Sequence, residues 1–65
     1  MTLKVKDEYA SIGLPGDLWT IKEEDGTHVA TIGRDKRHRF YVCDIWAKYI
    51  EREQELFALC KETLK

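Results

Sequence analysis

Apolar and polar positions along the chain change period twice. Leu3 and Val5 alternate with Thr2, Lys4 and Lys6, the period-two pattern of a strand over Met1–Lys6. Asp7 to Gly13 reads as one helical turn, capped by Asp7 and stopped by Gly13, or as an irregular connection. Leu14-Pro15-Gly16-Asp17 is a turn: Pro15 presets φ and Gly16 supplies the positive φ that follows it.

Period two resumes in Leu18–Glu24 and Thr27–Gly33, either side of Asp25-Gly26. That dipeptide predicts a two-residue type I′ hairpin turn. The turn sets a register in which Glu24 faces Thr27, Glu23 His28, Ile21 Ala30 and Trp19 Ile32. It gathers Trp19, Ile21, Ala30 and Ile32 on one face, and leaves Thr20, Lys22 and Thr31 on the other with Leu18 and Val29.

From Val42 to Leu64 the period reads as 3.6, and the stretch is predicted as one long amphipathic helix. Its apolar residues cover an arc of about 180°, where one packing surface needs little over 100°. Glu53 falls near the middle of that arc, either reaching solvent at a rim or making an ion pair across an interface. The helix start is left open between residues 35 and 44. One reading makes His38–Val42 a third strand with Asp44 as the cap. The favoured one runs the helix from near Asp35, because no Gly or Pro interrupts the stretch from there to Lys65.

The fold class expected is α+β: an antiparallel hairpin, with or without a third strand, packed on one C-terminal helix in a single domain, 1–65. A chain of 65 residues buries a small core and commonly needs a supplementary surface. The hairpin would cover about half the helix arc. The rest, with Trp46, Ile50, Glu53, Phe57 and Leu64 as candidate interface residues, implies a homo-oligomer, most simply a twofold dimer.

Charge narrows the functional classes. Twelve acidic and eleven basic residues leave a net −1, which argues against a generic nucleic-acid coat or a membrane-surface peptide. The local exception is the cluster Arg34, Lys36, Arg37, His38 and Arg39. Arg34, Lys36, Arg37, Arg39 and Tyr41 are the candidate nucleic-acid or partner-binding residues, with Phe40 or Tyr41 stacking on a base; a solvated connector neutralised by the acidic helix face is the favoured reading. Capture of a small nucleotide by the same arginines is a further class.

No catalytic or cofactor residue is proposed. His28 opposite Glu23 reads as a cross-strand pair rather than a dyad. Cys43, Cys60, His28 and His38 lack zinc-ligand spacing, so no metal is expected. The two cysteines, far apart on one helix, suit a reducing interior, with Cys60 as core filler. No apolar run reaches transmembrane length and no secretory signal is expected, so the location expected is cytoplasmic.

Gly16-Asp17-Leu18-Trp19-Thr20-Ile21-Lys22, then Asp25-Gly26, then Val29-Ala30-Thr31-Ile32, and finally Glu55-Leu56-Phe57-Ala58-Leu59-Cys60-Lys61-Glu62 form a pattern. It resembles small accessory proteins of tailed phages and prophages, whose hairpin is followed by a helix with a similar ending. Here Arg37-His38-Arg39-Phe40-Tyr41 stands where that helix has an alanine-rich start. The resemblance implies a small intracellular viral protein that acts by binding. Inhibition of a host defence assembly, such as a CRISPR complex, is one role of that kind.

Overall fold

A computed structural model describes residues 2–64. The elements are β1 (Leu3–Asp7), a single-turn helix α1 (Glu8–Ser11), β2 (Asp17–Glu23), β3 (His28–Arg34), β4 (Phe40–Ile45), a 3₁₀ helix (Ala47–Arg52) and α2 (Glu53–Glu62). The strands form one antiparallel sheet in the order β1-β2-β3-β4. The fold is α+β, as expected, with four strands rather than two or three and a shorter helix.

The N-terminal expectations hold for the described residues; Met1 lies outside them. Leu3 and Val5 turn toward the core while Lys4 and Lys6 turn away. Asp7 caps α1 by accepting from the Tyr9 and Ala10 amides at 3.1 and 3.0 Å. Gly13 and Gly16 both take the positive φ that stops a helix and turns the chain.

The β2–β3 hairpin corrects one detail and keeps the consequence. Gly26 alone at the turn has positive φ, so the turn is not type I′. The Gly26 amide donates to the Glu23 carbonyl and the Glu23 amide to the Thr27 carbonyl, both at 2.9 Å. This is the three-residue loop that ends in a left-handed glycine. It would shift the register by one, but a bulge between Ile21 and Lys22 restores it, leaving Val29 as the extra residue. Trp19 therefore still faces Ile32, and Ile21 still faces Ala30. Val29, expected on the outer face, is turned inward by the bulge and fully buried.

The larger correction concerns the stretch after Gly33. Asp35 to Arg39 form a second hairpin loop of the same kind, with His38 at φ 64° where the first has glycine. The Asp35 carboxylate holds it by accepting from the Arg37 and Arg39 amides at 2.8 and 2.9 Å. Phe40–Ile45 then pairs with β3, so there is no continuous helix from residue 35 or 42. Phe40, which a helix would have put on the polar side, points inward between Trp19 and Phe57, with ring centroids 5.5 and 5.8 Å away.

Trp19, Ile21, Val29, Ala30, Ile32, Tyr49, Leu56 and Cys60 are fully buried between the sheet and the helical layer. Two bonds fasten the layers. Trp19 Nε1 donates to Thr63 Oγ1 at 2.8 Å, and the Tyr49 hydroxyl donates to Glu23 Oε2 at 2.7 Å. Phe57 and Leu64, expected to face a partner, pack against the chain's own core. Glu53 lies in the first turn of α2, which continues directly from the 3₁₀ helix, its amide donating to the Ile50 carbonyl. Its place in a wide apolar arc disappears with the arc.

Candidate binding surface

With α2 and the 3₁₀ helix on one face, the other face of the sheet stands uncovered. The strand register arranges it in three rows. One row holds Lys4, Lys22 and His28, the next Lys6, Thr20, Thr31 and Asp44, and the last Leu18, Gly33 and Tyr41. Each of these alternates with a core residue of its own strand, which is why period two in the sequence becomes two unlike faces.

Tyr41 and Gly33 define the geometry of the last row. A Cβ built on Gly33 would collide with Tyr41 Cζ and lie 2.8 Å from Cε2. The phenol ring therefore occupies the space a side chain at Gly33 would fill. Gly33 is buried beneath it, while Tyr41 is 46% exposed. One side of the ring rests on the sheet and the rest is open to solvent.

At the opposite corner, Lys4, Lys6, Thr20, Lys22, Glu24 and Asp25 line an open groove of about 450 Å³. Lys6 Nζ lies 3.8 Å from Glu8, a loose surface pair worth little. The basic loop Lys36–Arg39 is exposed beyond the foot of β4, beside Tyr41 in sequence. The helical layer is mixed in charge, with Glu51, Glu53, Glu55 and Glu62 beside Lys48, Arg52 and Lys61.

The predicted site residues divide accordingly. Lys36, Arg37 and Arg39 lie together at the loop and Tyr41 on the adjoining strand. Arg34 does not join them. It turns to the covered face, where its Nη2 lies 2.6 Å from Asp17 Oδ2, and the two side chains are only 23% and 16% exposed. Of the predicted interface residues, Trp46 (40%) and Ile50 (53%) remain exposed. Lys48 Nζ lies 5.1 Å from the Trp46 ring centroid. Lys4, Lys6, Lys22 and Thr20 were missed as a group. Their alternation with core residues was the available signal, but β1 had to be paired with β2 before the three lysines met.

His28 pairs with Asp44, not with Glu23: Nε2 and Oδ1 are 2.6 Å apart. Thr31 Oγ1 is 3.4 Å from the same Nε2. A hydrolase-type relay needs the two ring nitrogens to serve separate partners, and here both contacts fall on one. Among the described residues no group of three or more His, Cys, Asp or Glu side chains gathers as a metal-ligand set. No helix among them is long and apolar enough to cross a membrane.

Three carboxyls are held below the ordinary range. At Asp25 the chief cause is the Thr27 side-chain hydrogen bond, at Asp35 the Arg39 amide, and at Asp44 the His28 hydrogen bond. A carboxyl lowered on folding contributes stability above its unfolded value, near 3.8, and loses it as pH falls through the folded value. The thermal midpoint is therefore expected to drop as pH falls below the unfolded carboxyl value and through the lowered folded ones. Asp35→Asn should make that drop shallower. An unchanged midpoint down to about pH 2 would contradict the turn geometry.

Burial pushes the Cys60 thiol up to about 12, whereas Cys43 is exposed at the β4 bulge. An aromatic disulfide reagent is expected to titrate one thiol quickly in the native protein and both in denaturant. Two fast thiols in the native state would contradict the packing of Cys60.

No family model, curated protein or solved structure matches this chain.

Proposed function

We propose that this chain is a non-enzymatic binding protein that works by presenting its uncovered sheet face to a macromolecular partner. The observation that supports this is the division of the molecule. One sheet face is spent on the core, and the other carries three lysines, two threonines and a seated tyrosine without a layer over them. In the setting implied by the resemblance to phage accessory proteins, the chain is phage-encoded and acts in the host cytoplasm. There it would inhibit or regulate a host complex, a defence assembly included. A nucleic-acid-binding regulator is the second reading, favoured by the lysines and by Lys36, Arg37 and Arg39 at the loop.

Affinity capture from host lysate tests the surface. The triple variant Lys4→Glu, Lys6→Glu, Lys22→Glu is expected to lose partners that the native chain and Glu55→Lys, Glu62→Lys retain. Loss in the helix variant with retention in the sheet variant would overturn the reading.

The exposed Trp46 and Ile50 support a separate proposal, that two copies associate there. Light scattering at micromolar concentration is then expected to give twice the 7.7 kDa chain mass. The mass of one chain would remove the dimer and leave the sheet face as the binding surface.

A further inference from the structure

We infer that the open sheet face binds single-stranded nucleic acid, with Tyr41 stacking on an unpaired base and Lys4, Lys6 and Lys22 contacting phosphates. This rests on the reading of that face as the binding surface and names the partner.

The chemistry of the face decides between partner classes. A protein interface has an apolar centre and is depleted in lysine. This face has Thr20 and Thr31 at its centre, lysines at the β1 corner, and a single apolar pair, Leu18 and Tyr41, at the other end. Aromatic rings in single-strand binders serve as platforms for bases, beside cations that follow the backbone. Tyr41 has that form. Gly33 beneath it leaves room for the ring to lie against the sheet, one side packed and the rest open to a ligand. A platform of this kind is of no use to a duplex, whose bases already stack on one another.

The spacing fits as well. Strands about 4.8 Å apart and residues about 3.4 Å apart place Tyr41 roughly 16 Å from Lys22 along the diagonal of the sheet. A strand of a few nucleotides would cross Thr31 and Thr20 on the way, and their hydroxyls can donate to sugar or phosphate oxygens. Glu8, Glu24 and Asp25 line the same groove as the lysines; the carboxylates nearer Tyr41 are engaged. Asp44 is paired with His28, and Asp35 is held by two backbone amides of its loop. Lys36, Arg37 and Arg39 extend the positive surface past Tyr41. The net charge of −1 is not concentrated on this face: Glu51, Glu53, Glu55 and Glu62 lie on the opposite layer, alongside Lys48, Arg52 and Lys61.

The test is fluorescence anisotropy with a labelled oligothymidylate of about 12 nucleotides, a typical site size for one small domain. Binding is expected at low salt, weakening about 20-fold between 50 and 200 mM salt for three phosphate contacts. Tyr41→Ala should weaken it by about fivefold or more, and Tyr41→Phe by no more than about twofold. Gly33→Ala should act like Tyr41→Ala although the aromatic ring is retained, because the new methyl takes the ring's seat. Circular dichroism of each variant checks that the sheet persists. No binding at low salt, binding indifferent to Tyr41 and Gly33, or preference for the duplex of the same length would overturn the inference. A failed oligonucleotide with lysate partners still lost in the triple lysine variant would make the partner a protein and leave the surface assignment standing. Failure of both would remove both.

Discussion

Trp19→Ala is expected to leave the chain largely unfolded at room temperature. Trp19 is fully buried at the centre of β2, against Phe40 on one side and the helical layer on the other. Truncating a buried tryptophan costs about 3–5 kcal/mol from lost transfer energy and the cavity left behind. A domain of 65 residues holds in total only about 3–10 kcal/mol. The substitution also removes the donor to Thr63 Oγ1, the bond that ties the end of α2 to the sheet. Trp19→Phe separates the two effects. It keeps an aromatic ring beside Phe40 and loses the donor, for about 1–2 kcal/mol. Urea denaturation followed by far-ultraviolet circular dichroism measures both. A Trp19→Ala chain with a near-native midpoint would contradict the core described here.

Leu56→Ala and Ile50→Ala are expected to differ by at least about 2 kcal/mol, with Leu56→Ala the more damaging. Leu56 is fully buried and Ile50 is 53% exposed. A single helical wheel would place both in the same apolar arc. The 3₁₀ helix separates them. Each of its residues advances about 120° rather than 100°, so six residues slip the phase by about 120°. Tyr49 then reaches Glu23 on the sheet while Ile50 turns to solvent. Equal losses for the two variants in the same denaturation experiment would mean that the chain runs as one helix through both.

These two residues also mark how much of the fold could be read from the sequence. Strand signals with local turn chemistry were legible: Asp7 as a cap, Gly16 as a turn residue, and Trp19, Ile21, Ala30 and Ile32 on one face. Val29 was not, because a bulge compensates a loop one residue longer than expected, and neither leaves a mark in the alternation. The second hairpin was hidden for a related reason. Its left-handed position holds His38 where glycine is usual, at a cost met by the Asp35 hydrogen bonds. Without glycine or proline to signal a break, Phe40–Ile45 was absorbed into a helix that starts only after it.

The same error displaced part of the candidate site. On a helix begun near Asp35, Lys36 to Arg39 would have formed one charged turn with Arg34 just before it. On the hairpin, Arg34 is spent on Asp17, and Lys36, Arg37 and Arg39 belong to the loop beyond Tyr41. Tyr41 was recognised as an aromatic beside positive charge. Its seat on Gly33, and the lysines of β1 and β2 on the same face, depend on pairing across three strand boundaries that local pattern does not specify.

Photo-crosslinking in living cells that express the chain tests the central claim most directly. A photoreactive phenylalanine placed at Thr20, in the middle of the open face, is expected to crosslink the chain to a macromolecular partner. The same group placed at Glu62, on the exposed side of α2, is expected to give no such product. Crosslinks from position 62 with none from position 20 would contradict the claim that the uncovered sheet is the working surface.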